Sequence, residues 1–201
     1  MKVAVFGANG KMGRAVLETL KERGHAVCPI EKDTTDMDGD CQVAIDFSSP
    51  KATEKLVYLC QKHHVPLVCG TTGQSDEELS LLEKLGESVS VVKKANFSVG
   101  FDTLCTIVET ACTTLIGWDK QLLEIHKIDK KDKPSGSAKV LAKSMDVDYN
   151  EILSLRLANH VGEHVAIFEN DWESVTVTHK VFDRKCFAQG AVDLAEKIAK
   201  K

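Results

Sequence analysis

A strand, a glycine-rich turn and the start of a helix follow one another in Lys2-Val-Ala-Val-Phe-Gly-Ala-Asn-Gly-Lys-Met-Gly13. The run from Val3 to Phe6 is apolar, with β-branched residues, which is typical of a buried strand. From Lys11 onward, apolar residues recur at helical spacing and define one face. The segment therefore predicts a strand–turn–helix unit, the first unit of an α/β fold.

Three glycines in this turn predict a phosphate-binding loop. Gly7, Gly10 and Gly13 have the spacing Gly-x-x-Gly-x-x-Gly, one residue longer in its first interval than the usual dinucleotide fingerprint. Glu31 ends the second predicted strand 18 residues after Gly13, where an acidic side chain accepts hydrogen bonds from the adenosine ribose. Lys32 beside it has the charge to pair with a 2′-phosphate. We therefore expect a bound dinucleotide; the alternative is a glycine-rich turn without a ligand.

Short apolar strands alternate with longer helical patterns through the first half of the chain. After the first unit, strands are predicted at residues 25–30, 43–47, 66–69 and 89–93, and helices at 50–64 and 76–85. This alternation predicts a Rossmann-like, doubly wound parallel sheet. Gly70-Thr-Thr-Gly73 and Asn96-Phe-Ser-Val-Gly100 follow the fourth and fifth strands. We expect both loops at the carboxyl edge of the sheet, where such sheets bind ligands.

The pattern changes after residue 97. A helix (101–115), a strand (122–125) and a second helix (138–145) precede three short strands, at 153–157, 165–168 and 175–179. Because no helix separates these three, we expect them to pair antiparallel in a separate α+β domain spanning residues 98–184. The last helical pattern, 188–200, has one apolar face that needs a partner surface. We expect it to return to the first domain, so that residues 1–97 and 185–201 form one dinucleotide-binding domain.

Charge and cysteine content exclude several classes of protein. The 201 residues carry a formal net charge of −4, whereas nucleic-acid and membrane-surface proteins carry a basic footprint. The seven cysteines include no Cys-x-x-Cys pair and are odd in number, which indicates a reducing compartment and argues against cysteine ligation of a metal. No signal-peptide pattern and no membrane-spanning run is visible. We expect a cytoplasmic protein that binds neither nucleic acid nor membranes.

One basic loop gathers residues suited to a small dianion. His126-Lys-Ile-Asp-Lys-Lys-Asp-Lys-Pro-Ser-Gly-Ser137 contains a titratable ring, four lysines and a small-residue turn before a helix. Ammonium groups and the N–H groups at a helix start attract carboxylates, and histidine is a common proton donor. The alternative is a solvated basic loop that ends in a helix cap at Ser135 or Ser137.

A zinc-peptidase pattern, His160-Val-Gly-Glu-His164, also occurs in the chain. That pattern requires both histidines on one face of a helix. Gly162 weakens a helix, and Val165-Ala-Ile-Phe168 continues as a strand, on which positions four apart are too distant to chelate one ion. We expect no metal site.

Six motifs in this order resemble one enzyme family: Gly7-Ala-Asn-Gly-Lys-Met-Gly13, Ile45-Asp-Phe-Ser-Ser-Pro50, Gly70-Thr-Thr-Gly73, Asn96-Phe-Ser-Val-Gly100, Glu124-Ile-His126 and Lys133-Pro-Ser-Gly-Ser137. In order and spacing they resemble the 4-hydroxy-tetrahydrodipicolinate reductase (dihydrodipicolinate reductase) family. Val161-Gly-Glu-His164, Thr178-His-Lys180 and Phe187-Ala-Gln-Gly-Ala191 extend the resemblance to nearly the whole chain. It implies an NAD(P)H-dependent oxidoreductase that acts on a small dicarboxylate in lysine and diaminopimelate biosynthesis. It also implies a homotetramer assembled through the sheet of the second domain, which would be the substrate-binding and oligomerisation domain.

The resemblance also implies roles for individual residues. His126 would be the proton donor and Lys130 the catalytic lysine. NADH or NADPH would be held by residues that follow four strands of the sheet: Gly7, Ala8, Asn9, Gly10, Lys11, Met12, Glu31, Lys32, Gly70, Thr71, Thr72, Ala95, Asn96 and Phe97. The substrate would contact Lys127, Ser135, Gly136 and Ser137.

Two departures from the family pattern keep other functions open. Lys127 stands where members usually carry a second histidine, and the segment between Met145 and His160 is shorter than usual, which predicts a reduced sheet in the second domain. One alternative is a related NAD(P)-dependent amino or imino acid dehydrogenase. The other is a dinucleotide-binding module without catalytic activity.

Overall fold

The computed structural model describes residues 1–199, so Lys200, the last residue of the predicted terminal helix, lies outside the described part. Two units divide the chain: Met1–Phe97 with the segment that starts at Lys185, and Ser98–Arg184. The α-helices are, in chain order, α1 (Lys11–Glu22), α2 (Thr53–Lys62, after a 3₁₀ turn at Pro50–Ala52), α3 (Asp76–Gly86), α4 (Val99–Thr114), α5 (Gly136–Met145) and α6 (Lys185–Ile198).

Five parallel strands form the sheet of the first unit. They are β1 (Lys2–Phe6), β2 (Ala26–Ile30), β3 (Val43–Asp46), β4 (Leu67–Cys69) and β5 (Val91–Lys93). Their order is β2-β1-β3-β4-β5, and every neighbouring pair is parallel. The predicted doubly wound sheet is confirmed. The strand order reverses between β1 and β3, and sheets of this kind bind ligands outside the carboxyl ends of the strands at that point.

Helices cover both faces of this sheet because the strand residues on each face are apolar. Ala4 and Phe6 of β1 belong to one core with residues of α2 and α3. Val3 and Val5 belong to a second core with residues of α1 and α6. Successive side chains of a strand point to opposite faces, so the apolar run Val3 to Phe6 of β1 contributes to both cores.

The terminal helix α6 approaches the segment after β5 at Gly190. A Cβ atom built on Gly190 would lie 1.8 Å from the carbonyl oxygen of Phe97, so the backbones meet where a larger residue has no room. Further along α6, Asp193 pairs with Arg23 at 2.6 Å and Glu196 pairs with His25 at 2.8 Å. The helix is thus part of the first unit, although 87 residues of the second unit precede it in the sequence.

Four strands form the sheet of the second unit: β6 (Asp119–His126), β7 (Leu153–Arg156), β8 (Gly162–Glu169) and β9 (Ser174–Val181). Their order is β7-β6-β8-β9. The helices α4 and α5 pack on one face, where Leu104, Leu122, Leu141 and Phe168 share a buried core. This arrangement confirms the predicted second, α+β fold.

The prediction that the last three strands pair antiparallel is wrong for β7. This strand pairs with β6 in parallel, and only β8 pairs antiparallel with both of its neighbours. The reason lies in α5, which stands between β6 and β7 in the sequence. A strand that follows a crossover helix returns in the same direction as the strand before the helix.

The other face of the second sheet carries apolar side chains, and none of the described helices covers it. Leu153 and Leu155 of β7 are 53% and 45% exposed. They lie beside Leu123 and Ile125 of β6, which are half-buried.

Among residues 1–199, no helix is both long and apolar enough to cross a membrane.

Candidate functional site

The glycine-rich loop of the first unit is a tight cradle at the start of α1. Gly7 has a φ of +73°, and a Cβ atom there would lie 2.7 Å from the carbonyl oxygen of Phe47. A Cβ atom on Gly13 would lie 2.1 Å from the carbonyl oxygen of Gly7. Gly10 caps α1 without a side chain, and the first turn contains no acidic residue. The N–H groups and positive dipole end of α1 therefore suit an anionic ligand such as a pyrophosphate.

A cleft of about 510 Å³ lies beside this cradle, lined by Gly7, Gly10 and Glu31 among others. The Glu31 carboxylate accepts a hydrogen bond from the backbone N–H of Asn9 at 2.9 Å. Glu31 is thus fixed next to the loop, where the sequence predicted the ribose. The cradle and cleft fit the adenosine half of a dinucleotide.

Lys55 of α2 adds a positive charge to the same cleft. Its Nζ atom donates to the carbonyl oxygens of Glu31 and Lys32, at 2.9 and 3.0 Å. Lys32 and Lys51 also line the cleft. Three lysines near a predicted ribose site favour an additional phosphate on that ribose.

Phe47 brings the remaining predicted loops of the first unit together. Its ring lies edge-to-face against Phe97, with centroids 5.5 Å apart. A Cβ atom on Gly70 would lie 2.2 Å from the same ring. Beside Gly70, the hydroxyl of Thr71 is buried and has no hydrogen-bond partner among the described residues. A buried hydroxyl usually has a hydrogen-bond partner. An amide or hydroxyl of a ligand at this position would supply that partner.

In the second unit, His126 ends β6 beside a buried carboxylate. Glu124 is 0% exposed, and its Oε2 atom accepts a hydrogen bond from Nδ1 of His126. Its Oε1 atom lies 2.8 Å from Nη2 of Arg156 on β7. Burial by itself raises the pKa of Glu124, but the hydrogen bond from His126 and the contact with the Arg156 guanidinium outweigh it and lower the pKa to about 2. Glu124 is therefore an anion at every physiological pH.

The basic loop after β6 is braced by Arg156. Its Nε atom donates to the carbonyl oxygen of Lys130 at 3.2 Å, and its Nη2 atom donates to that of Asp132 at 2.6 Å. The side chain of Lys130 pairs with Asp132 at 2.8 Å, and Lys127 pairs with Asp129 at 2.8 Å. Two of the four lysines of the loop are thus paired with aspartates of the same loop.

The loop leads into the N-terminus of α5. Ser135 is the N-cap, and its hydroxyl accepts a hydrogen bond from the N–H of Ala138 at 3.2 Å. Gly136 and Ser137 follow as the first residues of the helix, with no acidic residue in the first turn. Backbone N–H groups at such a position attract a carboxylate.

A buried histidine lies between the loop and α4. His164 of β8 is 2% exposed, and its ring contacts those of His126 and Phe101 edge-to-face, at 5.4 and 5.3 Å. Its Nε2 atom lies 3.5 Å from the hydroxyl of Ser135. Burial, and then the charge of His126, lower the pKa of His164 to about 3. His164 is therefore neutral in the folded protein near pH 7.

Only the second part of the zinc-peptidase pattern, Gly162 to His164, lies on a strand, and no part of it is helical. His164 is inside β8, whereas His160 lies in the preceding turn, where it pairs with Glu163 at 3.0 Å. Within residues 1–199, no group of three or more His, Cys, Asp or Glu side chains is placed to hold a metal ion.

Five residues with clear contacts in these sites received no role from the sequence: Phe47, Lys55, Glu124, Arg156 and His164. The sequence could have predicted that Glu124 lies beside His126, because positions two apart on a strand share a face. It could not have predicted the role of Arg156, because the contact of Arg156 with Glu124 depends on the parallel pairing of β6 with β7.

The low pKa of His164 makes the stability of the protein depend on pH. The unfolded chain binds a proton at this residue near pH 6.5, whereas the folded chain does so only near pH 3. Between these values, stability falls as the pH falls, by up to about 1.4 kcal/mol per pH unit for this group. Unfolding free energies measured by urea titration from pH 7 to 4 should therefore decline less steeply in His164→Asn than in wild type. His64→Asn, which removes an exposed histidine, is the control, and an unchanged slope in His164→Asn would contradict the prediction.

Both halves of the chain match known family models. The model described as "Dihydrodipicolinate reductase, N-terminus" matches residues 22–97, and "Dihydrodipicolinate reductase, C-terminus" matches residues 100–201. A protein named 4-hydroxy-tetrahydrodipicolinate reductase from Thermosipho africanus is 38% identical over 202 residues, which cover 100% of this chain and 93% of that protein. One of the same name from Archaeoglobus fulgidus is 33% identical over 245 residues, covering 100% and 95%.

Solved structures show the same fold. "Dipicolinate bound Dihydrodipicolinate reductase from Paenisporosarcina sp. TG-14" superimposes with a TM-score of 0.77 at 21% identity, covering 99% of this chain and 94% of that one. An aspartate dehydrogenase from Thermotoga maritima has a TM-score of 0.57 at 10% identity, covering 100% and 97%. The fold alone thus occurs in more than one kind of dehydrogenase, whereas the family models and the relatives above 30% identity distinguish among them. The chain belongs to the dihydrodipicolinate reductase family.

Proposed function

We propose that this protein reduces 4-hydroxy-tetrahydrodipicolinate (dihydrodipicolinate) to tetrahydrodipicolinate in lysine and diaminopimelate biosynthesis. As a member of its family, the chain is an NAD(P)H-dependent oxidoreductase. The observation that carries the proposal is His126, held by a buried carboxylate at the head of a loop rich in lysine. The arrangement places a proton donor next to cations. The reduction of an imine that carries two carboxylates requires both.

The first unit supplies the cofactor site in this proposal. Residues Gly7 to Met12 hold the pyrophosphate, Glu31 the adenosine ribose, and Lys32 a 2′-phosphate where one is present. The segments Gly70–Thr72 and Ala95–Phe97 line the nicotinamide side. Three observations support this assignment: the tight cradle, the 510 Å³ cleft, and the Thr71 hydroxyl, which has no hydrogen-bond partner within residues 1–199. NADH or NADPH, when bound, supplies the hydride.

The second unit supplies the substrate site. One carboxylate of the diacid is held by the backbone N–H groups of Gly136 and Ser137 and by the hydroxyl of Ser135. Lys127 and Lys130 attract the other carboxylate. The conjugated imine forms when the 4-hydroxyl group of the substrate leaves as water. His126 donates a proton as negative charge develops on this imine during hydride transfer. Arg156 keeps the loop that carries Lys130 in place through the Lys130 carbonyl.

Two other functions predict different behaviour in one assay. The assay follows NADH and NADPH absorbance with freshly condensed pyruvate and aspartate semialdehyde as the source of substrate. The proposed reductase consumes the reduced nucleotide only when both condensation partners are present. A related amino or imino acid dehydrogenase would consume it with another substrate, and a silent module would bind it without turnover; either result would contradict the proposal.

We also propose that the protein acts as a cytoplasmic homotetramer assembled through the open face of the second sheet. The exposed side chains of Leu153 and Leu155 support an interface there, because apolar sheet faces are otherwise covered. The seven cysteines are all free, as in proteins of a reducing compartment. Sedimentation equilibrium of wild type and Leu155→Glu tests the assembly: the proposal predicts a tetramer that dissociates in the variant.

Cofactor preference should depend on Glu31. Free ribose hydroxyls donate to this carboxylate in NADH, whereas a 2′-phosphate interacts instead with the lysines of the cleft. In Glu31→Ala, the ratio of the Kd for NADH to the Kd for NADPH should therefore rise about 10-fold. Fluorescence titration of both nucleotides measures the ratio, with exposed Glu54→Ala as the charge control. Equal losses for both nucleotides, or no loss, would show that Glu31 is not at the ribose.

A further inference from the structure

The proposed chemistry uses His126 but leaves the buried ion pair behind it unexplained. Glu124 is 0% exposed, and the Arg156 side chain is 5% exposed. A buried ion pair is at best weakly stabilising compared with apolar residues of the same size. The chain nevertheless places this pair directly behind the predicted proton donor.

We propose that Glu124 and Arg156 are positioning residues that fix the ring of His126 with Nδ1 donating to Glu124 and Nε2 left for proton transfer to the substrate. This inference rests on the proposed function for the identity of the reaction. The hydrogen bond and the orientation of the ring are independent of that identity.

Strand pairing fixes the geometry on which the inference depends. In the parallel pairing of β6 with β7, Ser154 lies beside Glu124 and Arg156 lies beside His126. Alternation puts Glu124 and His126 on the same face of β6. The carboxylate thus has two partners, His126 on its own strand and Arg156 on the next.

Two more contacts restrict the ring of His126. A Cβ atom on Gly162 would lie 3.1 Å from Nε2 of His126, so the ring rests on a glycine of β8. The ring of His164 contacts it edge-to-face. With Nδ1 bound to Glu124, Nε2 is the nitrogen that remains, and the side chain of His126 is still 12% exposed.

Arg156 connects this pair to the basic loop. The same guanidinium contacts the Glu124 carboxylate and the carbonyl oxygens of Lys130 and Asp132. A planar group with five donors is suited to hold several acceptors in a fixed arrangement. One side chain therefore sets the position of the proton donor and of the predicted catalytic lysine together.

The first test is Glu124→Gln, which keeps the size of the side chain and removes its charge. An amide is also able to donate to Nδ1, which favours the wrong tautomer of the ring. We expect kcat to fall by at least about 100-fold, with KM and the Kd for NADH within about threefold of wild type. The matched control is Glu163→Gln, because Glu163 also pairs with a histidine, His160, but lies on the opposite face of the sheet, in register with Ile125. A native-like Glu124→Gln variant with wild-type kcat would overturn the inference.

A double variant separates positioning from a merely structural role. If Glu124 acts through His126, Glu124→Gln should lower kcat by less than about threefold when His126 is already alanine. A full additional loss in the double variant would overturn the inference.

Nitrogen-15 NMR of the full chain with labelled histidine gives a readout that does not require turnover. In wild type, Nδ1 of His126 should carry a hydrogen-bonded proton, and Glu124→Gln should change this resonance while Glu163→Gln should not. A wild-type spectrum in which Nδ1 of His126 carries no proton would overturn the inference, even if the Glu124→Gln variant failed to fold. Absence of turnover in wild type would instead contradict the proposed function, while the NMR result would still decide the role of Glu124.

Discussion

Replacing His126 by alanine should lower kcat by roughly 10²- to 10⁴-fold, because a positioned proton donor contributes about that much. Lys130→Ala should lower kcat by an amount in or near the same range, since it removes a cation that orients the diacid. The Kd for NADH should stay within about twofold of wild type in both variants. His126 and Lys130 belong to the second unit, whereas the predicted cofactor residues belong to the first.

Steady-state kinetics and fluorescence titration of NADH, made on the same preparations, check this prediction. Lys131→Ala is the matched control, because Lys131 lies in the same loop and is exposed. If the loop were only solvated surface, all three variants would turn over like wild type. Unchanged kcat in both His126→Ala and Lys130→Ala would remove the basis for the site.

Replacing Gly190 by alanine should be the most damaging single-methyl change in the first unit. The added Cβ atom would lie 1.8 Å from the carbonyl oxygen of Phe97, and a backbone atom is unable to rotate away as a side chain does. Overpacking typically costs about 1–3 kcal/mol and occasionally more. Because this overlap is severe and involves the backbone, we expect a loss of at least about 3 kcal/mol.

Urea unfolding measures this loss, with Gly86→Ala as the control. Gly86 ends α3, and a Cβ atom there would meet no atom within 4 Å. Alanine at such a position stabilises by about 0.5–1 kcal/mol or is neutral. A Gly190→Ala midpoint equal to wild type would mean that α6 does not pack on the segment after β5 as described.

The fold of the first unit could be predicted from sequence because each of its signals is local. The apolar run Val3 to Phe6, the glycines that follow it and the helical spacing after Lys11 all lie within about one βα unit. Alternation of such units then leaves few topologies, since crossovers between parallel strands are right-handed. The observed strand order, β2-β1-β3-β4-β5, is one of them.

The pairing of β7 could not be predicted in the same way. A short strand such as Leu153–Arg156 shows its own alternation but not its neighbour. Its direction depends on the position of α5 between β6 and β7, because a strand that follows a crossover helix runs parallel to the strand before it. The contact between Arg156 and Glu124 was missed for the same reason, because the observed parallel register puts Arg156 beside His126.

Only part of the candidate site could be predicted from the sequence, for a similar reason. His126, Lys130 and the turn Ser135 to Ser137 lie within twelve residues, so their combination is visible in the chain. The contacts that determine their chemistry come from elsewhere. Arg156 lies 30 residues after His126, and His164 lies on β8.

Transfer of deuterium from labelled NADH is the most direct test of the proposed reaction. NADH deuterated at the transferable position of the nicotinamide ring, in each of its two stereoisomers, would be incubated with the protein and freshly condensed pyruvate and aspartate semialdehyde. Mass spectrometry of the product should find tetrahydrodipicolinate that carries one deuterium per molecule with one stereoisomer and none with the other. Binding of NADH with no deuterium in the product from either stereoisomer would contradict the account.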